Sequence, residues 1–357
     1  MKDFLKYTLA TIVGIIALSV IMGIFSVISL IGMIAASETT TVVKENSVLS
    51  ITLDGALQER AKEDPFAQFT GQETGAMGLD DVLNAIEKAK DEENIKGIYI
   101  EAGMFSPDAP ASSQAIRNKL VDFKESGKWV VAYGEQFTQS AYYICSGADK
   151  IYLNPQGMVD WHGMVSQPMF FKDLLAKFGV KVQLTKVGKY KSAPEMLTAD
   201  GMSEPNREQV SAYINGIWEV MLNDVSKSRN IEKDSLNKYA DSFLGFAPQE
   251  DLLKMNIVDS LLYTDEVKSV IKKMLAIEES ETINQLSIGD MANLPAKDTE
   301  GEKIAVYYAY GDIVDTNTGG FNSDACIAGD VVCKDIEKLT NDDDIKAVVL
   351  RVNSGGG

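Results

Sequence analysis

The sequence predicts an α/β protein in which two tandem copies of a strand–helix unit follow a single membrane-spanning helix. Three observations predict this class: residues 7–37 carry no charged side chain, strand patterns alternate with helical patterns from residue 48 onward, and the pattern starts again near residue 303. Strands that alternate with helices indicate a mainly parallel sheet with helical crossovers.

The N-terminal apolar segment predicts a membrane anchor. A helix needs about 20 apolar residues to cross the hydrocarbon core, and residues 7–37 exceed that length. Lys2 and Lys6 precede the segment and Glu38 follows it, so the positive-inside tendency predicts a cytoplasmic N-terminus. A cleavable signal peptide is the alternative, with Ala35-Ala36-Ser37 as its small-residue site, but its apolar core is typically only about 7–15 residues. We therefore expect an uncleaved, single-pass anchor in the inner membrane, with the globular part on the periplasmic side.

The first α/β unit is predicted from residue 48 onward. Alternating, β-branched runs predict strands, and apolar residues at a spacing of three to four predict helices. The predicted strands cover residues 48–55, 95–100, 129–133 and 150–153, and the predicted helices cover residues 79–89, 113–123 and 141–148. From about residue 165 the pattern is mainly helical. We therefore expect residues 48–275 to form the first copy, with a helical extension.

The second copy is predicted from matched sequence elements. Ile345 to Leu350 matches Ile95 to Ile100 position for position, and Ile336-Glu337-Lys338 matches Ile86-Glu87-Lys88 in the preceding helix. Two matches at one offset indicate duplication, and a repeat of this length indicates tandem domains.

These elements define four segments. We expect a cytoplasmic tip and anchor at residues 1–37, a linker at the polar residues 276–302, and the start of the second copy at residues 303–357. A parallel strand is normally buried on both faces. Because the second copy holds only its opening elements, we expect its strand around Val348 to be exposed and poorly protected.

Composition excludes several functions. A net charge of −18 argues against nucleic acid as a partner, since phosphate binding needs a basic surface. The spacing of potential ligands predicts no metal site. Cys326 and Cys333 could form a disulfide or remain free thiols. His162 is the only histidine and is expected to be a packed side chain bonded to backbone, so a hydrolase built on this chain would use another base.

Two segments could carry chemistry. A strand runs into Asn353-Ser354-Gly355-Gly356-Gly357, where glycine amides could approach an oxyanion or merely form a turn. The segment from Lys186 to Ala193 holds three lysines, which by composition are typical of a solvated surface. A lysine becomes a general base only when burial lowers its pKa toward neutrality, and Val187, Tyr190 and Ala193 are neighbours that could bury one.

The chain resembles the signal peptide peptidase A family of the long, two-repeat bacterial type. The stretches that carry the resemblance are Gly134 to Tyr143, Leu153 to Gly157, Val187 to Ala193 and Leu350 to Ser354. The resemblance implies ClpP- or crotonase-like repeated β-β-α units in tandem duplication and a membrane-facing homo-tetramer. It also implies that Lys191 is the general base and that no metal or organic cofactor is needed.

A basic role for Lys191 predicts its surroundings. We expect Lys191 to point into a cleft lined by apolar or hydroxyl groups, and Lys186 and Lys189 to stay in solvent. Pro194 disfavours a helix that continues through Ala193, so we expect Glu195 to begin the next element.

The resemblance places the nucleophilic serine in the second copy, beyond the glycine turn in which this chain stops. Gly355 stands where the family carries proline, and Gly356 and Gly357 are the candidate oxyanion donors. Ser140 occupies the corresponding nucleophile position of the first copy, where the glycine run is missing. Its alternative role is a helix-start serine that caps backbone N–H groups.

The resemblance thus implies a membrane-anchored serine endopeptidase that degrades cleaved signal peptides and other apolar peptides. We expect residues 1–357 by themselves to be inactive. The alternative is a non-catalytic, membrane-tethered scaffold that uses the same duplicated fold for assembly.

Overall fold

The computed structural model describes residues 2–37, 41–61, 77–294, 301–316 and 326–356. Helix α1 (Lys2–Ser37) forms the N-terminal segment. Its stretch Lys6–Phe25 packs against no other part of the described chain and is, by length and composition, able to cross a membrane. It is the only such helix among the residues that the structure describes.

The first copy is built on a parallel sheet of seven strands. The strands are β1 (Ser47–Gln58), β2 (Met77–Gly78), β3 (Ile95–Ser106), β4 (Trp129–Phe137), β5 (Lys150–Val159), β6 (Ser260–Leu261) and β7 (Asn284–Leu286). Their order is β2-β1-β3-β4-β5-β6. Strand β7 also pairs with β1, at Ser47 to Leu49, whereas β2 pairs with the other end of β1. All of these pairs are parallel.

Helices connect and cover the strands. Between β2 and β5 lie α2 (Leu79–Asp91), α3 (Pro110–Lys124) and α4 (Gln139–Cys145). The extension contributes α5 (Lys172–Lys177), α6 (Glu195–Thr198), α7 (Glu204–Arg229), α8 (Lys233–Asp241), a 3₁₀ turn (Leu244–Phe246), α9 (Gln249–Lys254), α10 (Thr264–Leu275) and α11 (Ile288–Ala292).

Two apolar cores lie on opposite faces of the sheet. Successive side chains of a strand point to opposite faces, so Val48 and Leu49 of β1 belong to different cores. On one face, strand residues such as Leu49 pack with α2, α3, α4 and α7. On the other face, Val48 packs with Val267 and Ile271 of α10. The sheet is therefore covered by helices on both sides, as a parallel sheet requires.

The predicted strands and helices of the first copy are confirmed, and β3, β4 and β5 extend several residues beyond the predicted ends. The expected linker differs from the structure. Within residues 276–302, β7 pairs with β1, and Met291 of α11 is fully buried. Ser287 and Asp290 form a capping box at the start of α11, which is a sequence signal for the start of a helix. The segment was nevertheless predicted as a linker because it has no long apolar pattern.

The second copy contains β8 (Lys303–Tyr310), β9 (Asp312–Val314), β10 (Cys326–Ala328), α12 (Gly329–Thr340) and β11 (Ile345–Asn353). Strand β11 lies parallel to β8, as β3 lies parallel to β1. Val348, Val349 and Leu350 are 39%, 50% and 49% exposed, as expected for a strand without further cover. No disulfide joins Cys326 and Cys333 in this structure.

The exposed faces of the second copy predict a difference in protection between the two copies. A two-stranded sheet without a covering layer is marginally stable in water. We expect amides of β11 to exchange hydrogen about a hundredfold faster, or more, than amides of β3. Hydrogen exchange read by mass spectrometry checks this, with α12 as an internal reference. Equal protection of β3 and β11 would contradict it.

Candidate active site

Lys191 lies in an irregular segment between β5 and α7, and its side chain is exposed. Both of its neighbours are tied to the first turns of α7. Tyr190 donates a hydrogen bond to Glu208 over 2.9 Å, and the Ser192 hydroxyl accepts one from the Gln209 amide over 2.8 Å. The backbone around Lys191 is therefore fixed on both sides while its ammonium group faces outward.

Glu195 begins α6 directly after Pro194, as the sequence predicted. Its carboxylate is buried and accepts hydrogen bonds from the Ser203 hydroxyl at 2.6 Å and from the Asn206 amide at 3.1 Å. The Ser203 hydroxyl bond is the main cause that lowers the pKa of this carboxyl, and Lys186 at 3.7 Å adds to it. The charge of Glu195 is thus balanced by groups other than Lys191.

One expectation about the lysines needs correction. The sequence predicts a cleft lined by apolar or hydroxyl groups around Lys191, but in this single chain the side chain is exposed. Lys186 is exposed as expected, although its ammonium lies 3.7 Å from Glu195 and donates to the Lys191 carbonyl over 3.3 Å. Lys189 is exposed as expected and lies over the Tyr190 ring. The buried carboxylate of Glu195 pairs with Lys186. Lys191, which is the lysine nearest to Glu195 in sequence, is therefore not drawn inward by this carboxylate.

Ser140 lies in the first turn of α4, on the wall of a cavity of about 620 Å³. The alternative role of Ser140 as a capping residue is wrong, since the cap of α4 is Thr138, whose hydroxyl accepts from the Ala141 amide over 3.3 Å. Among the described residues that line the cavity, none is lysine, arginine or histidine. Ser140 therefore has no lysine, arginine or histidine beside it in this cavity, and Asp108 is the one acidic side chain among the described lining residues.

His162 also differs from expectation. Its ring is half exposed and Nδ1 lies 2.8 Å from Oδ1 of Asp160, so the ring pairs with a carboxylate and is not packed against backbone. Its backbone N–H donates to the Gln139 side chain. Gln139 also accepts from Gly163 and donates to the Gly163 carbonyl, which fixes the loop after β5 against the start of α4.

The glycine turn of the second copy is described as far as Gly356. Gly356 has a φ of +102°, which favours glycine. Its amide donates to the Ser354 hydroxyl over 3.0 Å, and its carbonyl accepts from Ile313. An oxyanion would have to replace that intraloop bond. Gly357, the other candidate donor, lies outside the described residues.

A contact between the two copies was not predicted from the sequence. Arg351 of β11 pairs with Glu59, which is buried at the end of the first-copy strand β1. Asn353 donates to Asp108 over 3.1 Å, and Asp108 lines the cavity beside Ser140. The end of β11 therefore lies close to the nucleophile position of the first copy. These side chains come from two separate sheets and are far apart in sequence, so no local sequence signal could reveal the contact.

Comparison with known proteins identifies relatives of this chain. Residues 113–278 match the model of peptidase family S49. Protease 4 of Salmonella typhi is 35% identical over 78% of this chain and 46% of its own length. Protease 4 of Haemophilus influenzae is 29% identical over 92% of this chain and 56% of its own length. The chloroplastic serine protease SPPA of Arabidopsis thaliana is 24% identical over 88% of this chain and 46% of its own length.

Residues 113–278, which match this peptidase model, include strands β4, β5 and β6 of the parallel sheet, and α1 is able by length and composition to cross a membrane. The predicted resemblance to signal peptide peptidase A is confirmed. The predicted α/β class with a mainly parallel sheet is also confirmed. The chain spans about half the length of the curated relatives that it matches. A solved membrane-bound stomatin-specific protease covers 68% of this chain at 12% identity, with a TM-score of 0.39.

Proposed function

We propose that this chain supplies the anchor and the general base of a serine–lysine endopeptidase. Its substrates are cleaved signal peptides and other apolar peptides at the membrane. The observation that carries the proposal is the fixed presentation of Lys191 between two neighbours hydrogen-bonded to α7, within the segment that matches peptidase family S49.

The chemistry assigns one role to each group. A serine hydroxyl of the completed second copy attacks the peptide carbonyl, and Lys191 accepts its proton. Backbone amides of the glycine turn, with Gly356 and Gly357 among them, stabilise the oxyanion. A solvated lysine is protonated at neutral pH, so Lys191 must lose water contacts before it acts. Because Lys191 is exposed in the single chain, a completed second copy or a neighbouring subunit of a homo-tetramer would provide that cover.

The location follows from the anchor. With Lys2 and Lys6 before the span and Glu38 after it, the positive-inside tendency leaves the N-terminus in the cytoplasm. The globular part then lies on the periplasmic side of the inner membrane, where cleaved signal peptides remain in the adjacent bilayer.

The second candidate function is a non-catalytic, membrane-tethered assembly scaffold. Two observations favour it: Lys191 is exposed, and no lysine, arginine or histidine lines the cavity beside Ser140 among the described residues. The candidates differ in what they predict for a polypeptide in which the second copy is completed with its serine segment.

A peptide ester assay separates them. We expect residues 1–357 in nanodiscs to hydrolyse an apolar peptide ester no faster than empty nanodiscs do, because the described residues place no lysine, arginine or histidine in the cavity beside Ser140. The extended polypeptide should hydrolyse the ester. An inactive but folded extended polypeptide would favour the scaffold. Hydrolysis by residues 1–357 that Ser140→Ala abolishes would instead make Ser140 the nucleophile.

A further inference from the structure

The cavity beside Ser140 has features of a binding site that the proposed catalysis does not use. It occupies about 620 Å³ between the starts of α3 and α4 and the middle of α7, which is within the range of small-ligand pockets. Lys191 is not among the residues that line it. Whatever binds here therefore binds independently of the proposed base.

One wall carries a polar group that lacks a partner. Ser113 lies in the first turn of α3, is 2% exposed and lines the cavity. Its hydroxyl oxygen has no hydrogen-bond partner in the described chain. Leaving a buried hydroxyl unpaired costs free energy, and a ligand with an acceptor group would remove that cost. The start of α3 is also uncapped by any side chain, since Ala109 stands at the cap position.

The charge of the lining restricts the ligand. Asp108 is the only acidic side chain among the described lining residues, and none is basic. Burial raises the pKa of the Tyr143 hydroxyl, which donates to Asp224 over 2.5 Å and so stays protonated. A carboxylate or phosphate would lose its hydration without meeting a cation. The chemistry of the lining therefore favours an uncharged ligand.

The remaining wall is apolar. The apolar lining includes Ile217 and Met221 of α7 together with Met164 and Pro107. These side chains suit aliphatic groups, and methionine adapts to irregular shapes. Gly216 leaves open space on the same helix, because a Cβ built there meets no atom within 4 Å.

We propose that this cavity is a non-catalytic binding site for an uncharged, apolar peptide segment. A backbone carbonyl of the peptide accepts a hydrogen bond from Ser113, and a leucine-sized side chain of the peptide packs against Ile217 and Met221. Peptide amides complement the unpaired hydroxyl, and aliphatic side chains complement the wall. The site lies beside Asp108, which Asn353 of the second copy contacts.

Isothermal titration calorimetry tests the proposal. The probe is acetyl-Ala-Leu-Ala-Leu-amide, titrated into residues 1–357 in nanodiscs, with empty nanodiscs as the blank. We expect saturable binding of one peptide per chain. The same peptide with a free C-terminal carboxylate should bind at least about fivefold more weakly, because it would lie near Asp108 without a cation. Absence of saturable binding, or stronger binding of the free carboxylate, overturns the proposal.

Three variants locate the site. Gly216→Leu fills the cavity and should abolish binding, whereas Gly201→Leu, which also has open space but lies away from the cavity, should not affect it. Ser113→Ala should weaken binding by about threefold to tenfold without lowering the melting temperature, because the hydroxyl has no partner to lose in the unliganded chain. Lys191→Ala should bind normally. Binding that survives Gly216→Leu, or that is lost in Lys191→Ala, places the peptide elsewhere and overturns the assignment. The proposed catalysis is tested separately, by the peptide ester assay.

Discussion

Replacing Lys191 by alanine in a polypeptide with a completed second copy is expected to lower kcat by about a thousandfold. A positioned general base typically contributes about 10²–10⁴-fold to the rate, and without it the serine hydroxyl keeps its proton. Lys191→Arg should be equally inactive, because a guanidinium remains protonated at any working pH. Neither variant should unfold the first copy, since the Lys191 side chain is exposed. The measurement is kcat on an apolar peptide ester, with circular dichroism to check the fold.

Lys189→Ala is the matched control for this prediction. Lys189 lies two residues away in the same segment and is exposed over the ring of Tyr190, so its loss should leave kcat within about twofold of the unaltered enzyme. Lys186→Ala differs, since it removes the cation next to the buried Glu195 and could change the segment's position. Retained turnover in Lys191→Ala would end the assignment of Lys191 as base.

Asp259→Ala is expected to destabilise the first copy by about 3–5 kcal/mol, because it leaves a buried guanidinium without its partner. Arg229 has a side chain that is 5% exposed and lies 3.0 Å from Asp259. The same carboxylate accepts a hydrogen bond from the Ile151 amide over 2.8 Å, so one substitution breaks an ion pair and detaches the start of β5. The second terminal nitrogen of Arg229 is already buried without a hydrogen-bond partner, so it cannot compensate for the loss of the ion pair.

Urea titration followed by tryptophan fluorescence measures this effect, since Trp129, Trp161 and Trp218 all lie in the first copy. Asp251→Ala is the control: it removes a shorter but exposed ion pair with Lys254, of 2.7 Å, which should cost no more than about 1 kcal/mol. The double variant Arg229→Met with Asp259→Leu should recover much of the loss, because it removes both buried charges together. Equal effects of Asp259→Ala and Asp251→Ala would show that burial does not set the strength of the pair.

The strands and crossover helices could be predicted because their signals are local. Val130 and Val131, like Ile98 and Tyr99, are buried on opposite faces of the sheet, and runs of this kind identify parallel strands from sequence alone. Short elements with few apolar residues escaped prediction. Strand β7 is three residues long with one buried side chain, Leu286, and its pairing partner β1 lies at the far end of the first copy.

The sequence identifies candidate residues of the site, but it does not predict how exposed they are or what surrounds them. Lys191 is identified because its segment resembles a family motif. Its exposure depends instead on how the turn at Pro194 and the buried Glu195 are placed around it. The cavity beside Ser140 depends on α7 lying across the starts of α3 and α4. That arrangement comes from tertiary packing, for which no spacing of residues in the sequence gives a signal.

The pairing of β7 with β1 sets an order of events during synthesis. The N-terminal part of β1 lacks its second neighbour until residues 284–286 have been made, although it follows the anchor closely in sequence. A nascent chain held by α1 therefore carries an open sheet edge near the membrane while most of the first copy emerges. Exposed edges pair readily with other extended chains. Chaperone demand should thus be greatest before residue 286 emerges and should fall once β7 covers that edge.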